Sequence, residues 1–319
     1  MIEVYGVIIL GSGPAGYTAA LYAARSNLTV LVFQGYEPGG QLTQTSEVEN
    51  YPGFENGILG PEMMEKFEHQ ARSFGAKMMA EQVLAVDFSQ RPFRVTADSG
   101  EYKAQSIIIA TGASAKWLGL PSEKRLQGRG VTACATCDGF FFRGQNVVVV
   151  GGGDTAMEEA TFLTRYVNHV TLIHRRDTFR ASKIMLERAY KNPKISFLLN
   201  AEVVEVLGND AVTGVRIRNV KTGEEKSLDV QGLFLAIGHQ PNTALFKGIV
   251  DMDKTGYIVP IEHTMTNIPG VFAAGDVADH RYRQAVTAAG DGCRAAIDAE
   301  RWLESLTEDD KITVATADV

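Results

Sequence analysis

Val4-Tyr5-Gly6-Val7-Ile8-Ile9-Leu10-Gly11-Ser12-Gly13-Pro14-Ala15-Gly16 is the stretch whose reading decides the fold. An apolar run of strand length meets a G-x-G-x-x-G turn. An Ala-rich helical stretch follows over residues 17–26, then a second apolar strand over 29–33. Strand, glycine turn, helix and strand in that order is the context in which such a turn holds a dinucleotide. The first glycine makes the tight turn, the second lets the backbone approach a pyrophosphate, and the third lets helix pack on strand. The phosphates then lie on free N–H groups at the helix N-terminus. Without these flanks the glycines would read as an ordinary loop.

The acid that binds the ribose of such a ligand normally lies about 20 residues beyond the first glycine. Gln34 stands there, and Glu37 three residues later is the candidate. Gly39-Gly40-Gln41-Leu42-Thr43 is a second Gly-rich loop placed to close over the same ligand.

The same pattern returns 140 residues on (151 − 11) as Gly151-Gly152-Gly153-Asp154-Thr155-Ala156, after a strand at 146–150 with four consecutive valines. Its second strand, 170–173, ends in His174-Arg175-Arg176, with Arg180 beyond. Arg175 lies 24 residues after Gly151 (175 − 151), where an NAD site would hold its ribose acid. An Arg-Arg pair is elsewhere a solvated turn. At this offset a guanidinium cluster suits a 2′-phosphate, so the second site is expected to take NADPH.

Between the two lies Cys134-Ala135-Thr136-Cys137-Asp138-Gly139. Two thiols separated by two residues can close a small disulfide ring, and the adjacent Asp138 can give or take a proton. Structural zinc would need four ligands, and the 3 cysteines and scattered histidines offer no second pair. Cys293, in an Ala-rich helical stretch, is expected to be inert core.

Elsewhere the chain supplies scaffold. Residues 62–75 read as a helix behind Pro61, with Met63, Met64, Phe67 and Ala71 on its core face, and alternation over 82–101 predicts strands. A buried strand at 106–110 runs into Thr111-Gly112, and residues 117–130 form a Pro- and Gly-punctuated connection. Strands at 195–199, 201–207, 212–219 and 232–236 lead to Ile237-Gly238-His239-Gln240-Pro241-Asn242. An apolar strand at 270–274 runs into Gly275-Asp276, a helix begins near Gln284-Ala285, and a frayed acidic tail is expected from 307.

A length of 319 residues predicts two domains. A net charge of −7 argues against a nucleic-acid partner. No signal peptide is expected, and no apolar run approaches the roughly 18 residues that span a membrane. With few cysteines, a cytoplasmic enzyme with a redox-active pair is expected.

Two dinucleotide sites and a dithiol suggest a path from NADPH through a flavin to a disulfide, because a flavin accepts a hydride and passes electrons on. Cys137 precedes the Asn146 strand by only nine residues (146 − 137), so the dithiol belongs to the NADPH domain. Dithiol and nicotinamide must then reach one flavin in turn. This predicts a swivel hinged near residues 112–117 and 238–245.

With these motifs in place, the chain resembles the bacterial-type, low-molecular-weight thioredoxin reductases. The resemblance rests on both fingerprints, Gly39-Gly40-Gln41-Leu42, Thr45-Ser46-Glu47-Val48-Glu49-Asn50, Ala110-Thr111-Gly112-Ala113 and Ala133-Cys134-Ala135-Thr136-Cys137-Asp138-Gly139. His174-Arg175-Arg176, Pro269-Gly270-Val271-Phe272-Ala273-Ala274-Gly275-Asp276 and Arg283-Gln284-Ala285 extend it over nearly the whole chain.

The resemblance implies an α/β fold of two Rossmann-like domains with no separate dimerisation domain, in a homodimer that reduces thioredoxin. Residues 1–115 with 245–319 would bind FAD, and 116–244 would bind NADPH. FAD would contact Gly11 to Gly16, Glu37, Gly40, Gln41, Leu42, Thr43, Asn50, Ala110, Thr111, Gly112, Gly275, Asp276, Arg283, Gln284 and Ala285. NADPH would contact Gly151, Gly153, Asp154, Thr155, Ala156, His174, Arg175, Arg176, Arg180, Ile237 and Gly238.

In such enzymes the second cysteine faces the flavin, which assigns Cys137. Cys134 would exchange with thioredoxin, and Asp138 would serve the departing thiolate as acid and base. Two positions depart from the pattern: Asp154 stands where many members have Asn, and Pro38 where Lys is common. The extra charge at Asp154 is expected to weaken NADPH binding slightly. Alternatives are a reductase of another protein disulfide, a dithiol oxidase using oxygen, a ferredoxin reductase and a non-catalytic flavin sensor. The basic cluster argues against the oxidase and the dithiol against the ferredoxin enzyme.

Overall fold

Val4–Leu10 forms a central strand because its run of apolar side chains can be buried on both faces of a parallel sheet. A computed structural model describes residues 3–45 and 47–306. Ser46 of the quoted motif and the tail from 307 lie outside them. The chain divides into two compact units, Met1–Ser114 with Gln240–Val319, and Ala115–His239. The return crossing falls between His239 and Gln240, within the Ile237 to Asn242 motif.

In the first unit Val4–Leu10 lies between Val30–Phe33 and the long strand Gly100–Ile109, all parallel, with Lys77–Met79 at one edge. Gly100–Ile109 changes partner along its far side. Phe93–Ala97 pairs antiparallel with its start and Val271–Ala273 parallel with its end. Period-two alternation sends Ile8, Leu10, Ile107 and Ile109 into one core, and Val7, Ile9 and Ile108 into another. The second core is roofed by two small-residue helices, Pro14–Arg25 and Ala285–Ser305. A Cβ on Gly292 would lie 2.1 Å from the carbonyl oxygen of Ala15, so only glycine lets these helices approach this closely.

The second unit repeats the plan. Its five parallel strands run in the order Val131–Thr132, Gly232–Ala236, Asn146–Gly151, His169–His174, Ile195–Leu199. The consecutive valines are buried on both sides. Val147 and Val149 face the helix Asp154–Leu163, while Val148 and Val150 face an antiparallel meander. That meander is Ala201–Leu207, Gly214–Asn219 and Glu225–Leu228. The connection expected at 117–130 carries a short helix, Pro121–Arg125. The buried Glu123 carboxylate orders the chain before it, accepting from the N–H groups of Leu118 and Gly119 at 2.8 Å each and Leu120 at 3.2 Å.

Candidate active site

In the first unit the fingerprint forms a strand-to-helix turn. Gly11 has φ +114°, and a Cβ there would lie 2.2 Å from the carbonyl oxygen of Ala110. A side chain would therefore push apart the ends of Val4–Leu10 and Gly100–Ile109, where Ala110, Thr111 and Gly112 follow. Pro14, Ala15 and Gly16 open the helix, and no side chain caps its N-terminus. At Gly13 a Cβ would meet nothing within 4 Å, so the turn holds an open cradle beside uncapped N–H groups. The Ser12 hydroxyl donates to the Gln34 carbonyl and accepts from the Gly39 N–H, at 3.0 Å each. This brings the loop carrying Gly40, Gln41, Leu42 and Thr43 against the fingerprint. A Cβ on Gly40 would come within 3.2 Å of the Gly13 Cα.

Gln34 does not face this cradle. Its amide donates to the Tyr17 hydroxyl (2.7 Å) and to Glu68 (3.0 Å) in a buried network. Burial pushes the Glu68 carboxyl up, but hydrogen bonds from Arg72 and Tyr17 outweigh that and hold it below the usual range. Glu37 is exposed, with Gln44 donating to it at 3.3 Å. From the far end of the chain, Gly275 packs on the first helix, where its Cβ would sit 2.9 Å from that of Ala15. Asp276 beside it is pushed up to about 7 by burial and then by Asp279, with Arg283 opposing. Gln284 begins the last helix ahead of Ala285, and its side-chain oxygen accepts from Asn50 at 3.3 Å.

In the second unit Gly151 ends its strand paired with Ala236, which places Ile237 and Gly238 alongside the second fingerprint. The cradle recurs at Gly153, where a Cβ would again meet nothing within 4 Å. Asp154, Thr155 and the fully buried Ala156 open the helix. His174 is buried under this turn, stacked on Phe179 at 5.1 Å, and its Nε2 donates to the Thr178 carbonyl at 3.1 Å. Burial holds its imidazole below the ordinary histidine range, and Arg176 and Arg180 add to that against the Thr178 contact. Arg175, Arg176 and Arg180 are exposed, and among the described residues none of them forms an ion pair.

The dithiol lies in this second unit. Cys134 and Cys137 form a disulfide with Cα atoms 5.3 Å apart, across the first turn of the short helix Ala135–Asp138. The Cys137 N–H donates to the Cys134 sulfur at 3.2 Å, and the Thr136 hydroxyl lies 3.4 Å from it. Asp138 is raised by burial, against a hydrogen bond from Thr132. Thr132 also accepts from the Cys134 N–H at 3.1 Å, so one hydroxyl joins the first cysteine to the acid. Phe140 (50% exposed) and Phe141 (41%) follow directly, with the Arg143 guanidinium 5.5 Å above the Phe140 ring.

Two fingerprint turns and a disulfide on this frame match a family described as pyridine nucleotide-disulphide oxidoreductase, over residues 5–292. The chain belongs to that family. Within this oxidoreductase family, it is 56% identical over 314 residues to the thioredoxin reductase of Streptomyces coelicolor, covering 98% of each chain. A Mycobacterium leprae protein described as a bifunctional thioredoxin reductase/thioredoxin is 58% identical over 303 residues, 94% of this chain and 66% of the relative. Among solved structures, the thioredoxin reductase of Streptococcus pyogenes superimposes with a TM-score of 0.92 at 43% identity, covering 96% of this chain and 100% of that one. The family fold is the two-domain Rossmann type, as expected from the paired fingerprints.

The residues present fit dinucleotides in both units. Each cradle is open at its middle glycine, and the buried Asp276 carboxyl is of the kind that a hydroxyl-bearing chain satisfies. Thr132 and the network of Tyr17, Gln34 and Glu68 are not legible in the sequence. A threonine two residues before a cysteine carries no signal of its own. The Glu68–Arg72 pair was readable as an i,i+4 contact, but its link to Gln34 needs the fold.

Proposed function

We propose that this chain is an NADPH-dependent, FAD-containing reductase of thioredoxin, acting through the Cys134–Cys137 disulfide. The observation that carries the reading is the placement of that disulfide in the same unit as the fingerprint with the arginine cluster. The reaction balances as NADPH, a proton and a protein disulfide giving NADP⁺ and a protein dithiol. FAD, when bound, supplies two-electron relay between hydride and sulfur. The first unit would hold it through Gly11 to Gly16, Glu37, Gly40 to Thr43, Asn50, Ala110 to Gly112, Gly275, Asp276, and Arg283 to Ala285. In the second unit Gly151, Gly153 to Ala156, Ile237 and Gly238 would hold the NADPH pyrophosphate and nicotinamide half. Arg175, Arg176 and Arg180 would take its 2′-phosphate, and His174 would support their loop by packing.

Once the pair is reduced, Cys134 is the sulfur suited to be the thiolate, because the Cys137 N–H and the Thr136 hydroxyl already address it. It attacks the substrate disulfide, and Cys137 then displaces the reduced partner, restoring the Cys134–Cys137 bond. Asp138, held by Thr132, gives its proton to the departing thiolate. Phe140 and Phe141, flanked by Arg143, supply an apolar, cationic surface beside the disulfide for a protein substrate. A relative that carries a thioredoxin in its own chain supports that choice of partner. With nucleotide and dithiol on one unit, rotation of that unit about residues 112–117 and 238–245 would present them by turns.

The resemblance extends to a cytoplasmic homodimer. Among the described residues no helix is long and apolar enough to cross a membrane, and no side-chain cluster is built for a metal ion.

The test is by eye and spectrum. The purified protein should be yellow, bleach with NADPH under nitrogen and regain its colour with oxidised thioredoxin. A colour that bleaches but does not return would remove thioredoxin from the account.

A further inference from the structure

The basic loop of the second unit is tied to the fingerprint that it overhangs. It runs from Arg175 to Ser182, and two of its backbone N–H groups reach the turn. Arg180 N donates to the Gly152 carbonyl at 2.8 Å, and Ser182 N to Asp154 Oδ1 at 2.6 Å. Its root is held too. A Cβ on Gly152 would fall 2.2 Å from the His174 ring, so the imidazole lies directly beneath the turn. Asp177, the one acid in the loop, is drawn to Lys221 at 3.2 Å, leaving the three guanidiniums without an acid partner in their own loop.

Of the two ties, the Gly152 carbonyl is backbone and any sequence would supply it. The other is a side chain, Asp154, one of the two positions set apart in the sequence. The sequence alone predicts that the extra charge of Asp154 weakens NADPH binding slightly. In the structure its carboxylate is engaged by the N–H of Ser182, the residue that begins the helix Lys183–Tyr190. An ionised acceptor makes this kind of bond roughly twice as strong as a neutral one.

We propose that Asp154 is a positioning residue for nucleotide selectivity: by holding Ser182 it fixes Arg175, Arg176 and Arg180 over the fingerprint, so the 2′-phosphate meets a preformed cluster. This rests on the NADPH reading above.

The experiment measures kcat/KM with NADPH and with NADH in the parent holoenzyme, Asp154→Ala, Asp154→Asn and Ser182→Pro. Ser182→Pro removes the donor from the other side, and its φ of −61° is one that proline adopts. Asp154→Ala and Ser182→Pro should each lower the NADPH-to-NADH ratio about five- to tenfold, through KM for NADPH, the scale of one lost hydrogen bond. Asp154→Asn, whose amide oxygen can accept, should restore most of the ratio. A variant combining Asp154→Ala with Ser182→Pro should be no worse than either single one, because both break one bond. Trypsin should cut the flavin-loaded protein without NADPH faster after Arg175, Arg176 and Arg180 in both bond-breaking variants.

Equal losses with both nucleotides, or tighter NADPH binding in Asp154→Ala, would overturn the proposal. A parent that prefers NADPH while Asp154→Ala keeps that preference overturns this inference alone. A parent with no preference overturns the nucleotide assignment and this inference with it.

Discussion

Asp138 carries the sharpest consequence at the scale of single residues. Burial raises its carboxyl above the ordinary aspartate value of about 4. The folded state therefore favours the protonated acid. Its contribution to stability is complete below that ordinary value and is lost as pH rises through the raised one. Asp138→Asn should melt with the parent near about pH 4 and above it near about pH 8. The same change removes the proposed proton donor, so turnover with a disulfide substrate should fall about a hundredfold. Melting curves at the two pH values check the first part and steady-state rates the second; a parent that melts higher at the alkaline value would contradict it. Asp138 was legible in sequence as the acid beside the sulfurs. Thr132, which holds it, was not, because the residues meet only through the short helix between them. Gln34 shows the converse: it occupies the place of a ribose acid, yet its side chain is drawn inward by Tyr17 and Glu68.

At the scale of elements, the proposed first nucleotide site depends on how closely two helices meet. Gly292 lets Ala285–Ser305 settle on the opening turn of Pro14–Arg25, and the same contact carries Gly275 and Asp276 to the fingerprint. Gly292→Val should force these helices apart, destabilise the protein by about 1–3 kcal/mol and raise the dissociation rate of the flavin. Thermal melting and flavin release by fluorescence would check this, and unchanged flavin retention would separate the helix contact from the site. Both nucleotide-binding turns were readable because strand, glycine turn and helix have distinct periods and fall in a fixed order. The contact at Gly292 was not, since a glycine within an Ala-rich helix gives no sign of what it touches. The meander Ala201–Leu207, Gly214–Asn219 and Glu225–Leu228 was only partly legible. Glu225–Leu228 is too polar to stand out from a loop, although it pairs with Gly214–Asn219 throughout.

For the whole molecule, the sequence order already assigned the dithiol to the second unit, because only nine residues (146 − 137) separate Cys137 from the Asn146 strand. The structure keeps Cys134, Cys137 and the Gly151 turn within Ala115–His239. In the proposed function, electrons from NADPH end at one bond, Cys134–Cys137. The chain has 3 cysteines, of which Cys134 and Cys137 are paired and Cys293 is free. Counting thiols in denaturant with a chromogenic reagent therefore tests the account directly. The protein as purified should show one thiol, and the anaerobic protein treated with NADPH should show three. Oxidised thioredoxin, added before denaturation and then removed, should return the count to one. A count that stays at one after NADPH, with the flavin bleached, would contradict the claim that electrons from NADPH pass to Cys134–Cys137.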